Sequence, residues 1–304
     1  MTGIDRRTFI RRSLQGGAFA LGGLPLVDLF ALPALAADAP PVALRKGTDI
    51  PALVRETVAA LGGMGTFVKA GETVVVKPNI GWDRAPEYAA NTHPDVVKTV
   101  IELCLEAGAK KVRVFDRTCN DPRRCYHSSG LEKMFAAFGD KRAVLEHMDR
   151  RAYGDVAIRG GIVFDKWPFY RPALEADRFI NLPIAKDHGI SRLTLGMKNV
   201  MGVIGGNRGV LHQRIDEALA DINLVVQSDL TIVDATRILV ANGPQGGRLK
   251  DVEVRNTLIA SPDIVAADAM AATLFGLEPQ EISSIAAGAR RGLGVMDLQK
   301  VRKV

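Results

Sequence analysis

The residues best suited to chemistry are lysines and histidines set in apolar or glycine-rich surroundings, and they are densest in the stretch 182–212, LPIAKDHGISRLTLGMKNVMGVIGGNRGVLH. Lys186 and His188 stand beside Gly189, and Lys198-Asn199 interrupts an apolar run. A charged lysine is not buried without a partner. Lys198 therefore either reaches a ligand anion or pairs with a carboxylate such as Asp116 or Asp234. Histidine titrates near neutrality, which makes His188 and His212 the candidate acid/base groups, with Lys198 beside them. Gly202, Gly205, Gly206 and Gly209 follow Lys198. Glycine-rich turns let backbone N–H groups approach an anion, so Gly205 and Gly206 join Lys77, Asn79, Lys186 and Asn199 as candidate ligand-binding residues. The glycine spacing matches neither common phosphate-loop pattern.

Asp116 and Asp234, with histidines nearby, could ligate a metal through N and O donors. No short H-x-x-x-H spacing supports that reading, and no G-x-S-x-G elbow supports a serine nucleophile. The cysteines are Cys104, Cys119 and Cys125. Three thiolates fall short of the four that an ordinary iron–sulfur cluster needs, so a self-contained cluster is not expected. Cys104 lies in an apolar helical stretch. Cys119 and Cys125 flank a short polar loop, CNDPRRC, and could be either a disulfide or two free thiols.

The elements that must position these groups read as strand, helix, strand. Residues 72–77 (ETVVVK) form an apolar strand ending at Lys77-Pro78-Asn79. Thr92-His93-Pro94-Asp95 opens a helix that stops at Gly108, and residues 111–116 (KVRVFD) form the next strand, ending at Asp116. That order is the unit of a parallel sheet. Further strands are expected near 143–147, 155–165, 177–182, 229–234 and 254–260, and helices over 51–61, 130–138, 212–224, 262–275 and 279–290. The expected class is α/β, with a mainly parallel, helix-flanked open sheet and some antiparallel hairpin additions. Ligands of open parallel sheets bind outside the carboxyl ends of the strands. Lys77, Asp116, Lys186, His188 and Asp234 follow such ends, so a shared site on that rim is expected.

Of the 304 residues, 47% are hydrophobic and 24% charged, a globular composition. The net charge of +6 is spread among interspersed acids and bases, without a basic run carrying aromatics, which argues against nucleic-acid binding. The N-terminus carries Arg6-Arg7 before an apolar stretch that ends at Ala34-Leu35-Ala36. Glycine and proline make that stretch too weak for a membrane span. The pattern is that of a cleaved twin-arginine signal over 1–36, used by the twin-arginine translocase to export a folded chain to the periplasm or beyond. Residues 37–50 then read as a linker and 51–304 as one α/β domain.

Several blocks in order carry a family resemblance: VVVKPN at 74–79, GAKKVRVFD at 108–116, NLPIAKDHG at 181–189, TLGMKNVMG at 194–202, DLTIVD at 229–234 and SPDIVAADA at 261–269. Over roughly 70–278 the chain resembles the family called domain of unknown function 362. The resemblance implies motif positions at Lys77, Asn79, Lys186, His188, Lys198, Asn199, His212, Asp234 and Asp268. It also implies an association with iron–sulfur or redox partner proteins, and an α/β layout distantly similar to lactate racemase-like proteins. Two functions follow as expectations. One is an exported cofactor- or metal-linked enzyme of redox type acting on a small anionic ligand. The other is a non-catalytic cofactor-binding or maturation partner of a redox system.

Overall fold

The computed structural model describes residues 39–304; the expected signal segment 1–36 lies outside them. Strand β1 (Pro41–Lys46) is followed by helix α1 (Ile50–Ala59), strand β2 (Thr73–Pro78), helix α2 (Pro94–Glu106) and strand β3 (Lys111–Val114). Next come α3 (Pro122–Ser128), α4 (Leu131–Phe138) and β4 (Ala143–Leu145), then the hairpin β5 (Tyr153–Ala157) and β6 (Lys166–Tyr170), and α5 (Arg171–Glu175). Strand β7 (Arg178–Leu182) leads into β8 (Ile184–His188), β9 (Arg192–Thr194) and the short helix α6 (Gly196–Asn199). The chain closes with α7 (Ile215–Val225), β10 (Leu230–Leu239), β11 (Val252–Ser261), α8 (Ile264–Ala272), α9 (Ser283–Arg290) and β12 (Arg302–Lys303).

The main sheet runs β12-β1-β11-β10-β7-β2-β3-β4. The half from β10 through β7, β2 and β3 to β4 is parallel. β11 is antiparallel to both β10 and β1, and β8 pairs parallel with the distal part of β10 while forming an antiparallel hairpin with β9. β5 and β6 form a separate two-stranded sheet. The class is therefore α/β, mostly parallel at its centre, with antiparallel additions.

Side chains of a strand alternate between faces, and β2 illustrates the consequence. Val74 and Val76 pack with Leu53 and Val54 of α1 and Val97 and Ile101 of α2, whereas Val75 packs in the other core with Ala218 of α7, Val265 of α8 and Ile285 of α9. Both faces are covered by helices, which is why VVV reads as an unbroken apolar run. Burying each valine stabilises the fold by about 1.5–3 kcal/mol. Helix α2 starts where the sequence signals it. His93 is the N-cap, its Nδ1 accepting from Asp95 N–H, with Pro94 in the first turn. Gly108 follows the helix at φ 93° and packs so tightly on Ala70 that a Cβ would crowd it.

Four expectations are corrected. Residues 41–46, read as linker, form β1, which is held antiparallel to β11 through Ala43–Lys46. The polar segment after Cys119 holds helix α3, capped by Asp121 and started by Pro122. The strand expected over 155–165 is a hairpin whose turn lies within it, with strands at 153–157 and 166–170. β10 does not end at Asp234 but continues to Leu239 past a register shift between Ala235 and Arg237.

Candidate functional site

A cavity of about 370 Å³ opens at the carboxyl edge of the parallel strands, where Lys77, Asn79, Asp116, Cys119, Lys186, His188, Lys198, Asn199, Arg208 and His212 share its wall. The parallel register brings the ends of β2 and β7 side by side, with Lys77 opposite Asn181 and Pro78 opposite Leu182. The β8–β9 hairpin then lifts Lys186 and His188 over the rim. Helix α6 presents Lys198 and Asn199 from above. Its start is fixed by the buried Asp268 carboxylate of α8, which accepts Gly196 N–H at 2.6 Å and Met197 N–H at 2.8 Å. Burial pushes the Asp268 carboxyl up to about 7, against the pull of those two N–H groups. A side chain at Gly196 would collide with Asp268, so glycine there is required for this contact.

The three lysines differ in what already occupies their N–H groups. An ammonium has three donors. Lys77 donates to the Pro78 carbonyl at 2.7 Å and to Asn199 Oδ1 at 3.0 Å, and it is ion-paired with Asp116 Oδ1 at 2.8 Å. Lys186 donates to the Ala90 carbonyl at 2.5 Å and to Asn79 Oδ1 at 3.1 Å. Lys198 has only Met201 Sδ, a weak acceptor at 3.6 Å, and no carboxylate pairs with it among the described residues. Burial lowers the pKa of all three. Lys77 falls despite the opposing pull of Asp116; Lys186 reaches about 7, and Lys198, with Arg208 adding to the effect, reaches about 8.

Asn199 and Asn79 join the lysines into one network. Asn199 Nδ2 donates to the Lys77 carbonyl and to Asn181 Oδ1, while its Oδ1 accepts from Lys77 and from Asn79 Nδ2. All four of its hydrogen-bonding positions are filled, so Asn199 positions Lys77 rather than offering a free group to a ligand.

His188 and His212 stack in parallel, with ring centroids 5.9 Å apart and planes 15° apart. His188 Nδ1 accepts from Ile190 N–H at 3.1 Å and Ser191 N–H at 3.3 Å, which leaves the neutral ring's proton on Nε2. Burial, reinforced by Lys198, His212 and Lys186, lowers its pKa to about 3. His188 is thus a neutral N–H donor at any working pH. His212 is lowered too, by burial and then by Lys198, but is less enclosed and is the better base.

Two site assignments from sequence, the Asp116–Asp234 metal pair and the Gly205–Gly206 anion turn, do not hold. Asp234 is not on the cavity wall: one oxygen accepts His93 N–H at 2.8 Å and the other accepts Thr236 N–H and hydroxyl, so it ties β10 to the start of α2. Asp116 does line the cavity but is paired with Lys77 and accepts Ile80 N–H at 2.7 Å. The two acids form no joint metal site, and among the described residues no cluster of three or more His, Cys, Asp or Glu is arranged to hold a metal ion. Gly205 and Gly206 face away from this cavity, against Tyr153, Trp167 and Pro168, and Gly205 N–H is taken by the Pro168 carbonyl at 2.7 Å. Of the two alternatives left open for Cys119 and Cys125, the structure has free thiols: Cys119 is exposed on the cavity wall, while buried Cys125 faces the Gly81 carbonyl at 3.7 Å. Burial raises the Cys125 thiol to about 11.

Sequence reasoning missed Arg208 and Arg117. Arg208 donates to the Arg117 and Thr118 carbonyls at 2.9 and 2.8 Å, and so carries its charge on the cavity wall with no carboxylate partner among the described residues. Its place in the glycine-rich GGNRG was the available signal. With three lysines and two arginines facing the single, already paired Asp116, the wall is strongly cationic.

Residues 74–273 match the model of the family described as Domain of unknown function (DUF362). The chain belongs to this family. Every residue on the cavity wall falls inside the DUF362 segment. A relative, the thylakoid-associated protein sll1697 of Synechocystis sp., is 30% identical over 250 residues, covering 80% of this chain and 75% of its own. Among solved structures, the lactate racemase apoprotein from Thermoanaerobacterium thermosaccharolyticum aligns at a TM-score of 0.48 with 11% identity, covering 76% of this chain and 56% of that one.

Proposed function

We propose that this DUF362 chain is an exported enzyme that binds a small organic anion in the cationic cavity and moves a proton on it. Lys198 and Arg208 bind the anion, His212 is the base, and His188 donates its Nε2–H to charge developing on the substrate. Lys77, Asn79, Asn199 and Asp116 hold the floor of the site. The observation that carries this reading is Lys198: a largely enclosed ammonium on the cavity wall whose one hydrogen-bond partner among the described residues is a thioether. An enclosed charge without a counter-ion is costly, and an anion in the cavity supplies the missing partner.

Export by the twin-arginine route belongs to the proposal. It rests on Arg6-Arg7 and the Ala34-Leu35-Ala36 end of the apolar stretch, and agrees with the thylakoid association in the name of the Synechocystis relative. No helix among the described residues is long and apolar enough to cross a membrane. A cofactor bearing a carboxylate or phosphate would meet the same cations, which keeps a cofactor-linked reaction within the proposal. The test is calorimetric titration of oxalate, lactate and phosphate into the folded protein at low and high salt. Saturable one-site binding that weakens with salt and is lost in Lys198→Met supports the proposal. Equal affinity in the variant overturns it.

A further inference from the structure

The lysines of the cavity are not equivalent as nucleophiles, and geometry separates them. Attack on a carbonyl needs an amine with a free lone pair and room beside it. Lys77 is fully buried and tied by three contacts, one of them the Asp116 ion pair. Lys186 is equally buried and held by the Ala90 carbonyl and Asn79. Lys198 lines the open cavity and, among the described residues, is restrained only by Met201 Sδ. Around it stand the groups that imine chemistry requires. Arg208 is a guanidinium able to hold a carboxylate beside the amine. His212 can take and return a proton, and His188, stacked against it on the same wall, can donate a hydrogen bond through Nε2–H.

We propose that Lys198 forms an imine with the keto carbon of a small α-keto carboxylate whose carboxylate lies against Arg208. The proposal rests on the anion-site reading above and narrows it to one substrate class. In the step, the neutral Lys198 amine adds to the keto carbon, the C–N bond forms as the C=O π bond breaks, and the first N–H proton passes to the keto oxygen to give the carbinolamine. His212 accepts the second proton released from nitrogen and passes it to the carbinolamine hydroxyl. That group leaves as water, and the C=N bond replaces C=O. No oxidant or reductant is consumed. Burial and the Arg208 charge lower the Lys198 ammonium to about 8, so the neutral amine is accessible near neutral pH.

The experiment incubates the full-length folded protein with glyoxylate or pyruvate, adds sodium borohydride, and locates the reduced adduct by peptide mass mapping. Oxalate, an anion that lacks a keto group, is titrated in parallel. The expected result is one adduct per chain, on Lys198. It should be suppressed by excess oxalate and fall to the no-substrate level in Lys198→Arg, which keeps the positive charge. Cys119 on the same wall could only give a hemithioacetal, which borohydride does not fix as a stable adduct. If oxalate binds and no adduct appears, or the adduct maps to Lys186 or a surface lysine, the imine is refuted and the anion site stands. If neither oxalate nor the keto acids bind, both are refuted.

Discussion

Replacing Lys77 by methionine should destabilise the protein and replacing Lys198 should not, although both are lysines on one cavity wall. Lys77 Nζ lies 2.8 Å from Asp116, and both side chains are buried. Removing the lysine strands the carboxylate, which costs about 3–5 kcal/mol for a buried pair. Ile80 N–H still contacts Asp116 Oδ2, so the lower half of that range is expected. At about 2–4 °C per kcal/mol for a domain of roughly this size, the midpoint should fall by on the order of 10 °C. Among the described residues Lys198 has no ion pair to break. Its pKa, lowered from 10.5 to about 8, corresponds to on the order of 3 kcal/mol against the ammonium. Solvent reaching the amine through the cavity mouth screens much of that. Lys198→Met should therefore leave the ligand-free protein as stable as wild type, or about 1 kcal/mol more stable, while anion binding is lost. Chemical denaturation of both variants without ligand is the assay. If Lys198→Met is destabilised as much as Lys77→Met, Lys198 is a structural partner and the division of roles among the lysines is wrong.

Other consequences can be checked separately. Because Lys198 must be an ammonium to hold an anion, affinity should decline as pH rises through about 8, followed by calorimetry; an affinity that climbs over that range contradicts the assignment. His188 is held neutral, its pKa lowered from 6.5 to about 3, so the stability it contributes is complete above about 6.5 and drains away as pH falls toward 3. His188→Gln should accordingly lose less stability than wild type between neutral pH and pH ~4.5, measured by denaturation at both. Gly202→Ala should destabilise by about 2 kcal/mol or more, since its Cβ would run into Asp116 Oδ1 and Lys77 Cε; a neutral outcome means the ion pair is looser than its geometry. Iodoacetamide should label Cys119 rapidly and Cys104 and Cys125 hardly at all, with oxalate slowing the Cys119 reaction; labelling of none without reductant would mean that Cys119 and Cys125 are joined after all.

Much of the fold could be read from local signals. β2, α2 and β3 carried an apolar run, a Pro-Asp helix start and a glycine stop, and each lies within about two residues of its expected position. β1 could not be read, because PVALRK becomes a strand only through pairing with β11, more than two hundred residues later. The β8–β9 hairpin was obscured because a strand facing a cavity carries Lys186 and His188 where core residues would reveal it. Asp234 misled for a related reason. β10 runs on through a bulge, so the acid sits mid-strand and serves His93 rather than the rim. The rim cluster itself was legible, since strand ends of a parallel sheet must converge. Which lysine stays free was not: the answer lies in Asn199 reaching Lys77 and Asn79 reaching Lys186, contacts between residues more than a hundred positions apart.

The most direct measurement is a crystal structure of the protein grown with oxalate. The expected result is a carboxylate in the cavity within hydrogen-bonding reach of Lys198 Nζ and Arg208, with Lys77 still on Asp116. Oxalate bound only elsewhere, or Lys198 found paired with a protein carboxylate, would contradict it.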